Sequence, residues 1–220
     1  MTCKWMIIAA VLGAAFSGFA ADEIGESLAP AKEKDMGIRV SLGAAPGISE
    51  SEFQGTTYSV NEDSGGQFEV LFARRHWKGD SNFAWIWGAG FFFSSMSGTA
   101  EEGSLIFPVG TEYDLSTFGV MGQGGIALKA ADFLILELQP YLGFGAASAS
   151  ITGFTDGGAG VGIFGIKGGA FIPLGERVEL GIEFGYQDNA AIVEVDIGST
   201  YDLELTSSGL HASGVLAITF

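Results

Sequence analysis

The chain has 220 residues, a formal net charge of −16 and a composition that is 47% apolar. Such an acidic balance excludes a nucleic-acid partner, which requires a basic face. A single cysteine, Cys3, excludes a disulfide framework and a thiolate metal site.

At the N-terminus, Lys4 precedes an apolar run from Met6 to Ala15, and the small residues Gly18 and Ala20 precede the polar Ala21-Asp22-Glu23. This layout predicts a secretory signal peptide over residues 1–20. The run is too short to cross a bilayer comfortably as a helix. Cys3 lies ahead of it, away from the cut, so acylation is not expected and the mature chain carries no cysteine. Residues 21–35 are charged, lack an apolar period and read as a flexible periplasmic leader.

From Met36 the apolar period becomes two, the signature of strands. The first predicted strand, Met36–Ala45, places Ile38, Val40, Leu42 and Ala44 on one face. A polar stretch, Ser49 to Gly66, leads to a second strand over Gln67–His76 with Phe68, Val70 and Phe72 on one face. A short link, Lys78 to Ser81, precedes a third strand, Asn82–Ser95, whose one face is Phe83, Trp85, Trp87, Ala89, Phe91 and Phe93. A long link from Met96 to Asp114 follows, then a fourth strand over Leu115–Lys129. Past Ala130 to Asp132, a fifth strand, Phe133–Ala147, alternates Leu134, Leu136, Leu138, Pro140, Leu142 and Phe144 with more polar residues. The sixth strand is Ala159–Ile172, the seventh Arg177–Gln187 after the turn Pro173 to Glu176, and the eighth Asp202–Phe220.

Long and short links alternate along these eight strands. The remaining chain holds no further run long and apolar enough for a spanning helix, and in lipid a closed barrel satisfies every backbone group strand to strand. The apolar faces are continuous, while the opposite faces carry isolated charges at Glu69, Glu137, Lys167, Glu179 and Glu183. Unpaired charges are very costly inside a soluble sandwich. In a membrane barrel the polarity inverts, with apolar side chains outward. The sequence therefore predicts an all-β fold, an eight-stranded antiparallel up-and-down transmembrane β-barrel over residues 36–220.

The C-terminal stretch Leu210 to Phe220 ends on an aromatic, with Leu216, Ile218 and Phe220 at alternate positions. It resembles the terminal β-signal of outer-membrane barrels, which the barrel-assembly machinery reads. Gln139 to Ala146 and Val178 to Tyr186 are similar to strands of small outer-membrane barrels of the OmpA/OmpX type. The resemblance covers Met36 to Phe220 and is one of pattern. It implies location in a bacterial outer membrane, contact with outer-membrane lipid and lipopolysaccharide, and the assembly machinery as a partner. Specific function does not transfer with such a fold.

Arg39, Glu69, Glu137, Lys167, Glu179 and Glu183 face the predicted lumen, with Arg177 a further candidate. An eight-stranded barrel is just wide enough for side chains to fill, so these residues predict an ionic plug rather than an open pore. Gly160-Val161-Gly162-Ile163-Phe164-Gly165 fits a dinucleotide-binding string, but no helix pattern follows it; its glycines are expected to make room for bulky neighbours in the lumen. His211 and Ser213 share the inner face of the last strand and, with the inner glutamates, contain the residue types of a hydrolase triad. A lumen histidine in a polar network is the preferred reading, and His76 lies near a turn.

The long links hold Glu50, Glu52, Glu62, Asp63, Glu101, Glu102, Glu112, Asp114, Asp156, Asp188, Glu194, Asp196 and Asp202 without a Lys or Arg. Arg74, Arg75, Lys78, Lys129 and Arg177 gather toward the short turns. Asn61-x-Asp63-x-Gly65 lacks the later Glu of a calcium loop, and simple solvation of the acids is preferred over cation bridges to lipopolysaccharide. No cofactor or metal is expected, and the chain reads as a monomer. The function expected is a non-enzymatic structural or surface-contact role. The alternatives are a narrow pore or transporter for small or apolar solutes and, third, a lipid-modifying enzyme.

Overall fold

The computed structural model describes residues 36–63, 65–78, 81–154, 157–196 and 200–220. The expected signal peptide and leader lie outside the described residues. Ten strands follow in order: β1 Met36–Ala45, β2 Glu50–Phe53, β3 Thr56–Glu62, β4 Gly65–Trp77, β5 Phe83–Ala100, β6 Glu112–Ala131, β7 Leu134–Ile151, β8 Gly157–Pro173, β9 Val178–Asp196 and β10 Thr200–Thr219.

Each long strand pairs antiparallel with its neighbours, and β10 returns to pair with β1. The closed ring runs β1, β4, β5, β6, β7, β8, β9, β10, an eight-stranded up-and-down barrel. Closure leaves the ring without a free edge. The two further strands form a hairpin within the expected polar stretch from Ser49 to Gly66. Gln54 and Gly55 at its tip have φ of 52° and 79°, and two successive positive φ values make the hairpin turn that matches strand twist. This hairpin continues the wall at the loop side, with β2 on β10 and β3 on β5. Below it the chain passes singly: the Ile48 amide donates to Ser97 of β5, and the Ser49 amide to Thr206 of β10.

The outer face carries an apolar belt that includes Trp85, Phe91, Phe93, Phe118, Leu138, Phe144, Ile182, Phe184, Leu216 and Ile218. From Phe83 to Phe93 the strand advances about 34 Å, and a barrel tilt of about 40° turns this into a height of about 26 Å, matching a hydrocarbon-facing band. Pro140 sits within β7 on this face. It has no N–H, and the β6–β7 register passes from Gln123↔Tyr141 to Ile126↔Leu138, leaving Gly124 and Gly125 opposite the gap.

Strands β5 to β10 run well beyond this belt on the loop side, and there the polarity reverses. On β6, Glu112 and Asp114 point outward and Tyr113 and Leu115 inward. On β9, Glu194 and Asp196 are outward and Val193 and Val195 inward, and on β10 Leu203 and Leu205 are inward. Of the expected link Met96 to Asp114 only the ends, residues 96–100 and 112–114, are strand and residues 101–111 are a link, while after Gln187 β9 continues to Asp196 and β10 begins at Thr200. Water bathes the outside here, so apolar side chains fill the inside as in a soluble protein.

Candidate functional site

The inward row of alternate residues on each strand builds the lumen. Its mid-section is ionic: Arg39 on β1, Glu69 and Arg75 on β4, Glu137 on β7, Lys167 on β8, and Glu179 and Glu183 on β9 are all buried. Arg39 binds Glu137 through both terminal nitrogens, at 2.6 and 2.9 Å. Arg75 joins the same carboxylate through Nε at 2.5 Å and reaches Glu179 through Nη1 at 2.7 Å. Lys167 Nζ lies 2.8 Å from Glu69 and 3.0 Å from Glu183. Glu69 also accepts from Ser41 and from the Gln67 amide, and Glu137 from the Gln139 amide. Charge-assisted bonds of this kind are the strong ones, and they meet the requirement that buried charges be paired and hydrogen-bonded.

In the ring order β1 stands opposite β7, and β4 opposite β8. The Arg39–Glu137 and Glu69–Lys167 pairs are therefore two spokes spanning the whole lumen. Three cations thus face four carboxylates across this section.

Apolar layers close both ends of this section. On the turn side Phe171, fully buried, packs with Ile86, Ile135 and Val215. The Arg39 and Arg75 guanidiniums lie 4.9 and 5.3 Å from its ring centroid, a distance at which cations are attracted to the aromatic face. Gly169 and Gly181 make its space: a Cβ at either would stand about 2.5–2.6 Å from the ring. On the loop side Ile48, Phe92, Met96, Leu115, Leu203 and Leu205 fill the bore. Phe53, Phe107, Phe154 and Tyr201 cap it, with ring centroids 4.9–5.8 Å apart in neighbouring pairs.

Arg75 lies near the short turn after β4, and its guanidinium also belongs to the network. It shares strand parity with Gln67 and Glu69, and that parity is the signal that could have found it. Arg177 lies in the turn before β9 and is exposed, so it is no part of the lumen. The glycine string lies wholly within β8. Only its last member, Gly165, faces inward, against the Tyr141 ring; Gly160 and Gly162 have the parity of the outward Phe164 and make no room in the lumen. His211 is buried against Tyr141, with ring centroids 5.9 Å apart. Neither of its ring nitrogens has a hydrogen-bond partner among the described residues.

Leu216, Ile218 and Phe220 line the seam that closes the ring. Leu216 pairs with Val40 and Ile218 with Ile38, and the Phe220 amide donates to the Met36 carbonyl at 3.0 Å. All three side chains are exposed on the outer face.

No protein-family model and no curated protein sequence matches this chain. Among solved structures it is similar to Neisserial surface protein A, at 11% identity, covering 84% of this chain and 97% of that one, with a TM-score of 0.43. It is similar to outer membrane protein OprG from Pseudomonas aeruginosa at 14% identity, covering 86% and 97%, with a TM-score of 0.43. The outer membrane protease OmpT from Escherichia coli is 10% identical, with 89% and 99% covered and a TM-score of 0.48.

Proposed function

We propose that the chain is an integral, non-enzymatic protein of a bacterial outer membrane. Its barrel is sealed by side chains, and its acidic loop-side rim makes contacts at the cell surface. The observation that carries this reading is the pair of opposed spokes, Arg39–Glu137 and Glu69–Lys167, held between two apolar layers. A transport path along the axis would have to break both ion pairs and displace Phe171, and each buried charge left without its partner is strongly destabilising. The apolar belt supports insertion in lipid, because the outward Trp, Phe, Leu and Ile side chains have no other burial. The acids at the rim suit a soluble, displayed surface. In this reading the partners of the wall are outer-membrane lipid and lipopolysaccharide, and the β10–β1 seam is what the barrel-assembly machinery completes.

Reconstitution in planar bilayers tests the proposal. The expected result is insertion, seen as heat-modifiable migration on a gel, with no unit conductance above the bare bilayer. Stable single-channel steps from the inserted, folded protein would overturn the sealed reading in favour of a pore. Recovery of the protein in a soluble fraction would overturn the membrane assignment.

A further inference from the structure

At the loop-side rim a cleft of about 350 Å³ opens between the β2–β3 hairpin and the segment joining β5 to β6, residues 101–111. Phe53, Gln54, Thr56 and Tyr58 line it from the hairpin, and Ser104, Leu105 and Ile106 from the joining segment. The volume falls in the range of ordinary ligand clefts, about 300–1,000 Å³. Its walls are tied together, because the Ser59 carbonyl accepts the Glu101 and Glu102 amides at 3.0 and 3.3 Å. Its floor is packed, since Phe53 meets Phe107 edge-on at 5.2 Å over the apolar layer that closes the bore. The cleft therefore does not lead into the barrel. Leu105 stands free in solvent at its edge, fully exposed.

The surroundings determine what such a cleft would take. Glu101 and Glu102 lie beside it and Glu52 on the outer side of the same hairpin, all exposed. The whole loop-side end carries acids and no Lys or Arg. Behind the hairpin, on the outer face of the wall, Glu52 stands directly opposite Glu204 in the β2–β10 register and Asp202 opposite Glu194 in the β10–β9 register. Like charges in directly opposed positions repel, and a cation lying along them relieves that repulsion. One small cation would engage Glu101 or Glu102 alone; a peptide carrying cations beside an apolar side chain engages both acids and the cleft.

We propose that this cleft is the docking site for a basic peptide segment of a partner protein. One aromatic side chain of the segment enters between Tyr58 and Leu105, and flanking Lys or Arg side chains face Glu101 and Glu102. Aromatic burial supplies the contact area, and the acidic rim supplies steering that falls with ionic strength. The proposal rests on the surface-contact reading of the rim and names its site and partner chemistry.

The test uses the full barrel in zwitterionic phosphocholine nanodiscs. The probe is a fluorescein-labelled amidated peptide, Lys-Lys-Phe-Lys-Lys, followed by anisotropy at low salt. Saturable binding is expected, weakened about tenfold when the peptide's Phe is replaced by Ser, the loss that burial of one aromatic side chain predicts. Leu105→Ser should weaken the Phe peptide several-fold and leave the Ser peptide unchanged. E101Q with E102Q should weaken both and flatten the salt dependence. All three positions are exposed, and heat-modifiable migration verifies that each variant is folded. Equal binding of the Phe and Ser peptides would reduce the interaction to diffuse charge and overturn the proposal, as would absence of saturable binding to a folded barrel. Displacement of the peptide by benzyltrimethylammonium at equal affinity would assign the cleft to a small organic cation instead. A barrel that conducts yet binds the peptide through Leu105 overturns the sealed-lumen reading alone. One that is sealed and does not bind overturns this proposal alone.

Discussion

Replacing Lys167 by Met isolates the charge of the lumen network. The two side chains have similar length, so packing against Tyr141, whose ring centroid lies 5.5 Å from Nζ, is largely kept. What is lost is one cation held at 2.8 Å from Glu69 and 3.0 Å from Glu183, with side-chain exposures of 2%, 5% and 3%. At an effective dielectric of about 20, each contact supplies about 6 kcal/mol of Coulomb attraction. Desolvation of the three groups offsets most of it, and removing one partner of a buried pair costs about 3–5 kcal/mol net, because it strands the other charge. Here two carboxylates are stranded, so the expected loss lies at the upper end of that range. Guanidinium titration of the barrel in detergent micelles, followed by tryptophan fluorescence, reads it as a lower midpoint at unchanged slope. Neutralising the stranded groups, with Glu69→Gln and Glu183→Gln added to Lys167→Met, should recover at least about half of the loss, since an uncharged network escapes the desolvation of charge. A single variant within about 1 kcal/mol of the parent, the size of an exposed pair, would refute the buried-spoke reasoning. A triple variant as unstable as the single one would refute it equally.

Further outcomes follow from the same geometry. Phe171→Ala removes the fully buried floor beneath two guanidiniums; it should cost about 3–5 kcal/mol by chemical unfolding, and conductance should stay at background because both spokes remain. Arg placed at Leu136, Leu138 or Ile182 on the belt should cost about 2–4 kcal/mol near the midplane, and about 1 kcal/mol or less at the outward Ser95 or Ser148 above it, both measured in lipid vesicles. Equal costs in the two series would contradict the assigned depth. Phe220→Asp, at the closing seam, should lower the amount of heat-modifiable barrel recovered from outer-membrane fractions, and normal recovery would remove Phe220 from the assembly signal.

Local chemistry in the chain carried much of this architecture. Alternation of apolar with polar or glycine residues through Val178 to Tyr186, and over most of Leu134 to Phe144, sets which side chains point outward, because successive strand residues face opposite sides whatever the partner strand is. The same parity places Glu69, Glu137, Lys167, Glu179 and Glu183 inside, and Arg75 shares it although a short turn follows close behind. Strand ends were less legible for a physical reason. Where β5 to β10 leave the belt, the solvent outside changes from lipid to water, and the apolar parity switches from Phe118 and Val120 outward to Tyr113 and Leu115 inward. A continuous strand then reads as a broken pattern, and the strand ends at residues 96–100 and 112–114 look like parts of the link between them. The β2–β3 hairpin was hidden because Gln54-Gly55 makes a turn usually signalled by Asn-Gly or Asp-Gly. Pairing within the lumen belonged to tertiary structure alone. Arg39 and Glu137 are 98 residues apart, as are Glu69 and Lys167, and no local pattern encodes their meeting. It follows from closing an eight-membered ring, which sets β1 against β7 and β4 against β8, and from a bore narrow enough that opposed side chains touch.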